Sequence, residues 1–300
     1  QVTALRNRAT HGGFTVIDLT VERGESVGWH GIAALGRTPI SSTQATRAAR
    51  AEMEAVRHVL RRHVRRSVRS AAPAQLRVGG RGSRLSRIQL DEVRDLLGVL
   101  NGEIEFEAVT MPTPCDRDRV TPLPRVKEDD FFTRDLDDAL LDGRIDLAVH
   151  SAKDLPRRLR EGLVVVALTP AYAPWDVLVT PGGETLSQLP SGTVVGTSSE
   201  RRREGLLALR PDLRTRDIRG NVPDRLRQLD EGAYGALVLA AAGLIRLGEQ
   251  DYIGQVFSRE DFPVAPGQGA LALVVRREDR DLRRFLEPLD LGDRESMPWQ

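Results

Sequence analysis

One cysteine in 300 residues, Cys115, leaves no intrachain disulfide possible, so the fold has to be held by a packed core rather than by covalent staples. The same scarcity matches a reducing compartment, and a cytoplasmic location is expected. No apolar run is long enough to span a bilayer, and the N-terminus lacks a positive-then-apolar signal pattern, so no membrane association is expected. Aromatic residues make up 4% of the chain and do not interleave with the basic ones, which removes the stacking platform that single-stranded nucleic acid needs. Nucleic acid is therefore not an expected partner. His58 and His63 stand off any usual zinc spacing, and no metal site is expected. Lysine is also scarce: only Lys127 and Lys153 occur among 44 basic residues, so nearly all positive charge is guanidinium. With 43 acidic residues the net charge is +1, and the basic excess gathers in residues 1–70.

One of the two lysines stands in a telling place. Residues 146–156 read Asp-Leu-Ala-Val-His-Ser-Ala-Lys-Asp-Leu-Pro, an apolar strand that ends by presenting Lys153 and Asp154 together. Loops at strand ends are where open α/β proteins keep their chemistry, although an isolated Lys-Asp pair is more often a surface ion pair. Downstream, Gly196-Thr197-Ser198-Ser199-Glu200-Arg201-Arg202-Arg203 joins an apolar strand to a helical stretch and offers N–H groups, hydroxyls and arginines to an anion. Ile218-Arg219-Gly220-Asn221-Val222 repeats the strand-then-loop pattern with Arg225 beyond it, and the apolar run 236–244 is followed by Arg246. Each arginine alone reads as readily as a solvated helix-face charge. Guanidinium forks pair bidentately with carboxylates, so the set at successive strand ends implies a small ligand with several carboxylates or phosphates.

Together with Arg81-Gly82-Ser83 upstream and Pro266-Gly267-Gln268-Gly269-Ala270 downstream, these blocks resemble the hydroxymethylbilane synthase (porphobilinogen deaminase) family, in the family's order over roughly residues 75–275. The resemblance implies a transferase of tetrapyrrole and heme biosynthesis that joins porphobilinogen units into a linear tetrapyrrole with release of ammonia. It implies that Asp154 is the catalytic carboxylate, bonded to the pyrrole N–H and facing the cation formed as ammonia leaves, with Lys153 against the substrate. By the same resemblance Arg81, Arg201, Arg202, Arg219, Arg225 and Arg246 hold acetate and propionate side chains, with Ser83, Ser199 and Gln268 assisting. The implied small-molecule partner is a pyrrole polycarboxylate, and the implied cofactor is a dipyrromethane primer.

The family carries that primer on a cysteine in a third domain beyond the Gly-Gln-Gly segment. Here about thirty residues follow Gln268, none is cysteine, and they end in the charged stretch 278–295. The primer-bearing domain is thus expected to be absent, and the chain, which begins at Gln1, reads as a fragment or a shortened member. Cys115, within Pro112-Thr113-Pro114-Cys115-Asp116, reads as a solvent-exposed structural thiol in a flexible loop; a displaced primer attachment near Arg117 and Arg119 is the other reading. Where the family has a glycine-rich lid turn, this chain has Arg125-Val126-Lys127-Glu128-Asp129-Asp130-Phe131-Phe132, and a differently shaped lid is expected. The alternative function is a non-catalytic or divergent cleft protein that binds a pyrrole or other small polycarboxylate without a covalent primer.

Short apolar runs such as 76–78, 104–109, 147–149, 163–166 and 177–179 alternate with helical stretches at 85–100, 131–141 and 201–209. This pattern predicts an α/β fold with mostly parallel sheets. The stretch after Phe262 resembles a return strand into the first lobe, so two lobes joined by paired crossings are expected, the periplasmic-binding-protein-like (type II) layout that the synthase family also resembles. The expected division is an N-terminal extension over 1–74, a first lobe from 75–170 and 263–290, a second lobe over 171–262, and a tail over 291–300. In the extension, residues 14–21 read as a strand and 43 to about 69 as a helix. Met53, Val56, Leu60, Val64 and Val68 give that helix an apolar stripe opposite many arginines. It is expected to dock on the protein with its basic face solvated, a partner's acidic surface being the other reading. A monomer is expected.

Overall fold

The computed structural model describes residues 10–11, 14–15, 42–63, 72–118, 130–260, 262–295 and 297–298. The chain opens with a two-stranded pair, β1 (Thr10–His11) and β2 (Phe14–Thr15); the rest of the strand expected over 14–21 lies outside the described residues. The long helix α1 spans Ser42–His63, and its expected continuation to Arg69 also lies outside them.

Beyond it, β3 (Gln75–Arg81), α2 (Arg84–Leu100) and β4 (Glu105–Met111) form a parallel strand-helix-strand unit. Ser83 caps α2 by accepting from the Ser86 N–H at 3.2 Å, and Leu90, Val93, Leu97 and Leu100 then fall on one buried face at helical spacing. The short α3 (Pro114–Arg117) and α4 (Arg134–Leu141) lead to β5 (Leu147–Ser151) and β6 (Leu163–Leu168). The chain then enters a second sheet through β7 (Asp176–Val179), β8 (Val194–Gly196), α5 (Glu200–Leu209), β9 (Arg214–Arg216), α6 (Val222–Asp230), β10 (Ala236–Ala240), α7 (Ala241–Leu247) and β11 (Ile253–Val256). It returns to the first sheet as β12 (Leu271–Arg276) and ends in α8 (Arg280–Leu286) and a short tail.

The strand orders are β4-β3-β5-β12-β6 and β11-β7-β10-β8-β9. In each sheet four strands point the same way and one is reversed: β12 runs against β5 and β6, and β7 runs against β10 and β11. The reversed strands are the two that receive the chain from the other lobe. Both sheets are covered on both faces, which is why their interior strands β10 and β12 are continuous apolar runs with scarcely an exposed position. The two-lobed, mostly parallel α/β organisation expected from the sequence is present.

The crossings, residues 169–175 and 257–270, are bonded to each other. The Tyr172 N–H donates to the Gly269 carbonyl at 3.2 Å, and next to it the Thr169 N–H donates to the carbonyl of Leu271, the first residue of β12, at 2.9 Å. Gly269 holds φ +89°, and a Cβ there would stand 2.3 Å from the Tyr172 carbonyl oxygen. Gly269→Ala is therefore expected to destabilise the protein by at least about 1–3 kcal/mol in urea unfolding, from backbone strain and from wedging the crossings apart. An unchanged midpoint would show that the crossings separate freely.

Helix α1 docks as the apolar stripe requires: Val56 is buried and Met53 packs against the core beneath α2, while Arg57 meets Asp95 at 2.6 Å. Arg47 and Arg50 are exposed. The same helix also packs against the turn Gln250–Tyr252 and against β11, so it touches both lobes. No helix among the described residues is long and apolar enough to cross a membrane.

Candidate active site

The C-terminal ends of the parallel strands in both sheets face a shared cleft of ≈370 Å³. A 3₁₀ turn, Ala152–Asp154, begins where β5 ends and carries Lys153 and Asp154 to its rim. Arg81 ends β3, and Ser83 starts α2. Ser199 and Arg201 open α5, with Arg202 behind them; Arg219 and Arg225 flank the start of α6; Arg246 lies in α7; Gln268 comes from the return crossing. All eleven line this one cleft. Residues up to 154 come from the first lobe and Ser199 to Arg246 from the second, so no single lobe could assemble it.

Their partners divide the cations into two groups. Arg81 is bidentate to Asp116, Arg246 to Glu92, and Arg202 donates Nε and Nη2 to Asp176 at 3.0 and 2.7 Å. Arg201 meets the second oxygen of Asp176 at 2.7 Å. Each of these four guanidiniums has a carboxylate partner, although Arg201 and Arg202 share one and so keep a net positive charge between them. By contrast Lys153, Arg219 and Arg225 have no carboxylate in ion-pair contact among the described residues. Lys153 lies 3.5 Å from Gln268 Oε1, Arg225 donates Nε to the Gly220 carbonyl at 2.9 Å, and Arg219 donates Nη2 to the Asp118 carbonyl at 2.7 Å. The Nε of Arg219 is buried without an acceptor.

The electrostatics follow this division. Desolvation, reinforced by Arg202, pushes Lys153 down to about 8, although the residue is exposed at the cleft. Desolvation, with Arg202 and Arg219 adding repulsion, pushes Arg225 down to about 10. Such an excess of crowded positive charge is relieved by an anion placed among these groups.

Two sequence expectations are corrected here. Cys115 is not a solvent-exposed thiol in a flexible loop: it lies in α3, half-buried, with its N–H bonded to the Phe131 carbonyl at 3.2 Å, and it lines the cleft. Asp116 draws it inward, since its carboxylate accepts from the Thr113 hydroxyl and N–H at 2.8 and 2.9 Å while gripping Arg81. Desolvation pushes the Cys115 thiol up, outweighing Arg81 and Arg219, which pull it down. The expected helix over 131–141 starts only at Arg134, because residues 130–133 form a turn in which the Asp130 carbonyl accepts from the Thr133 and Arg134 N–H groups. The lid residues 125–129 lie outside the described set; next to them, Phe132 lines the cleft, 5.7 Å from the Arg81 guanidinium, and Phe131 lies 5.8 Å from that of Arg219.

The carboxylates Asp116, Asp176 and Glu92 were not expected from the sequence. Asp176 alone left a trace there, as an acid opening the otherwise apolar strand Val177-Leu178-Val179. A second, smaller cavity of ≈260 Å³ lies behind the crossings, against Trp175, Pro266 and Met297; it includes neither Lys153 nor Asp154.

Comparison with known proteins matches this architecture to one family. The model of the porphobilinogen deaminase dipyrromethane cofactor binding domain matches residues 76–284. The porphobilinogen deaminase of Desulforudis audaxviator (strain MP104C) is 45% identical over 213 residues, 71% of this chain and 69% of that protein. That of Geobacillus sp. (strain WCH70) is 41% identical over 214 residues, with the same shares. Among solved structures, the VFT2 domain of Bordetella pertussis BvgS aligns over 84% of this chain and 93% of its own, with 15% identity and a TM-score of 0.43. With its strand-end blocks gathered around one cationic cleft and the family's model covering both lobes, the chain belongs to the porphobilinogen deaminase family.

Proposed function

We propose that the protein is a hydroxymethylbilane synthase-type transferase, which condenses porphobilinogen units into a linear tetrapyrrole and releases one ammonia per unit. The observation that carries this reading is the gathering of Lys153, Arg219 and Arg225, without carboxylate partners among the described residues, around Asp154 in a chain of this family. Porphobilinogen has an acetate and a propionate, and these three cations are assigned to them. Arg81, Arg201, Arg202 and Arg246 then serve to hold the walls in shape rather than to bind directly.

Asp154 acts where charge develops. As the aminomethyl C–N bond breaks and ammonia departs, the pyrrole nitrogen donates its electron pair and the ring becomes cationic. A carboxylate fixed at the strand end accepts the pyrrole N–H and stabilises that cation more than the neutral substrate, which lowers the barrier. Ser83 and Ser199 offer hydroxyls to substrate oxygens.

The family's dipyrromethane is a polycarboxylate of the same class, and the arginine-lined cleft, with the Arg219 Nε buried without an acceptor and Arg201 and Arg202 sharing one carboxylate, suits such a group beside the substrate. When bound, it supplies the free pyrrole position from which the product is extended. Cys115 is not assigned as its anchor: burial raises its thiol pKa and so lowers the reactive thiolate fraction. Mass measurement of the purified chain should therefore find Cys115 unmodified.

The direct test is to incubate the protein with porphobilinogen and measure linear tetrapyrrole and ammonia; the absence of both refutes the reading. A pH dependence accompanies it. Lys153 is charged below about 8 and neutral above, so thermal protection by porphobilinogen should weaken as pH rises through about 8. Protection constant from pH 7 to 9 would remove Lys153 from the binding set.

A further inference from the structure

We propose that Asp176 is a positioning residue for this reaction, holding Arg201 and Arg202 as a fixed pair and linking them through Gln268 to Lys153. The inference rests on the functional reading above. Asp176 opens β7, where the first crossing enters the second lobe, and it is fully buried. Its Oδ1 accepts from Arg202 Nε and Nη2 at 3.0 and 2.7 Å and from Gln268 Nε2 at 2.9 Å. Its Oδ2 lies 2.7 Å from Arg201 Nη2, an ion-pair contact outside hydrogen-bond geometry. Gln268 belongs to the other crossing and also donates to the Pro174 carbonyl at 2.8 Å. On its far side, Gln268 Oε1 accepts from Arg202 at 3.3 Å and from Lys153 at 3.5 Å.

One carboxylate thus ties together both crossings, the first turn of α5 and, through a single amide, the lysine beside Asp154. A buried anion in such a network needs its donors, and the Arg202 and Gln268 donors bonded to Oδ1 are in turn held to one orientation, with Arg201 drawn in by charge. Desolvation pushes the Asp176 carboxyl up, but Arg202 and Arg201 outweigh it and hold it below the usual range, so it stays charged. That charge also reaches Lys153, where it opposes the downward push of desolvation and of Arg202. Asp176 therefore acts on the cleft in two ways: it aims the guanidiniums, and it helps keep Lys153 protonated.

Asp176→Asn, made in the full chain, separates this role from mere support of the fold. Measured well below the basic limb, where Lys153 is protonated in both proteins, kcat for porphobilinogen should fall about a hundredfold with the guanidinium pair and the Gln268 bridge loosened, while KM moves less than about threefold. The basic limb of thermal protection by porphobilinogen should also shift to lower pH, since Lys153 loses a charge that favours its protonated form. A residue that only supported the fold would lower the melting temperature and the active fraction and leave that limb in place. A folded variant with unchanged kcat and an unshifted limb overturns the proposal. Should Asp176→Asn not fold, Gln268→Met keeps the length of the bridge and removes its amide; the same fall in kcat with little change in KM is expected, and wild-type kcat overturns it. The unsubstituted chain is assayed alongside. If it forms no tetrapyrrole, the functional reading fails and this inference fails with it; equal turnover in parent and variant removes only the role of Asp176.

Discussion

Asp154→Asn should lower kcat about a hundred- to a thousandfold while porphobilinogen still protects the protein against unfolding. The substitution keeps the size of the side chain and an acceptor oxygen and removes only the charge. The ground-state ligand is held by its carboxylates, which Lys153, Arg219 and Arg225 are placed to meet, so binding is largely spared. What is lost is the interaction with the ring cation, which exists only as ammonia leaves. The measurements are steady-state turnover and a thermal shift at matched ligand concentration, where a ligand at a hundred times its Kd adds about 2.7 kcal/mol to both proteins. Unchanged turnover would remove Asp154 from the chemistry. Loss of protection in a folded variant would make it a binding group instead.

Glu92→Ala should cost about 3–5 kcal/mol of stability. Glu92 lies in α2 of the first lobe and Arg246 in α7 of the second; their side chains are 15% and 6% exposed, with Nε–Oε2 at 2.9 Å and Nη2–Oε1 at 3.2 Å. Arg246 also donates to the Gly269 carbonyl at 3.1 Å and stands 5.0 Å from the Tyr172 ring. Removing the acid leaves a guanidinium desolvated between the lobes, with a carbonyl and a ring as its remaining partners among the described residues. The loss exceeds what the pair itself contributes, because the stranded charge carries its full desolvation cost. Replacing both residues, as Glu92→Met with Arg246→Met, should therefore be milder than Glu92→Ala alone. Urea unfolding of the three proteins measures this. A cost below about 1 kcal/mol for Glu92→Ala would mean that the pair is effectively solvated.

This ion pair also shows where reading the sequence stops. Arg246 was legible as a cation just past an apolar strand and helix start, and the resemblance made it a substrate group. Its partner lies 154 positions away, and nothing in the local pattern of α2 marks Glu92 apart from the other acids on that helix. Arg81 with Asp116 and Arg202 with Asp176 repeat the case at separations of 35 and 26 residues. Lys153 and Asp154 were legible for the opposite reason: the strand, the turn and the pair are contiguous, and lysine is rare enough here to stand out. Cys115 was misplaced because the charged residues around it suggested solvent, whereas the Arg81–Asp116 pair draws that short helix into the cleft.

The order of strands and helices, the apolar runs of the doubly covered sheets, the docking stripe of α1 at Met53 and Val56, and the identity of the residues at the strand ends were set by local sequence. Each depends on periodicity or on neighbours within a few positions. Which arginines keep a charge available for a ligand was decided only by the tertiary structure. That property depends on whether folding brings a carboxylate within about 3 Å, and electrostatic partners at that range are chosen by the packing of two lobes rather than by position along the chain.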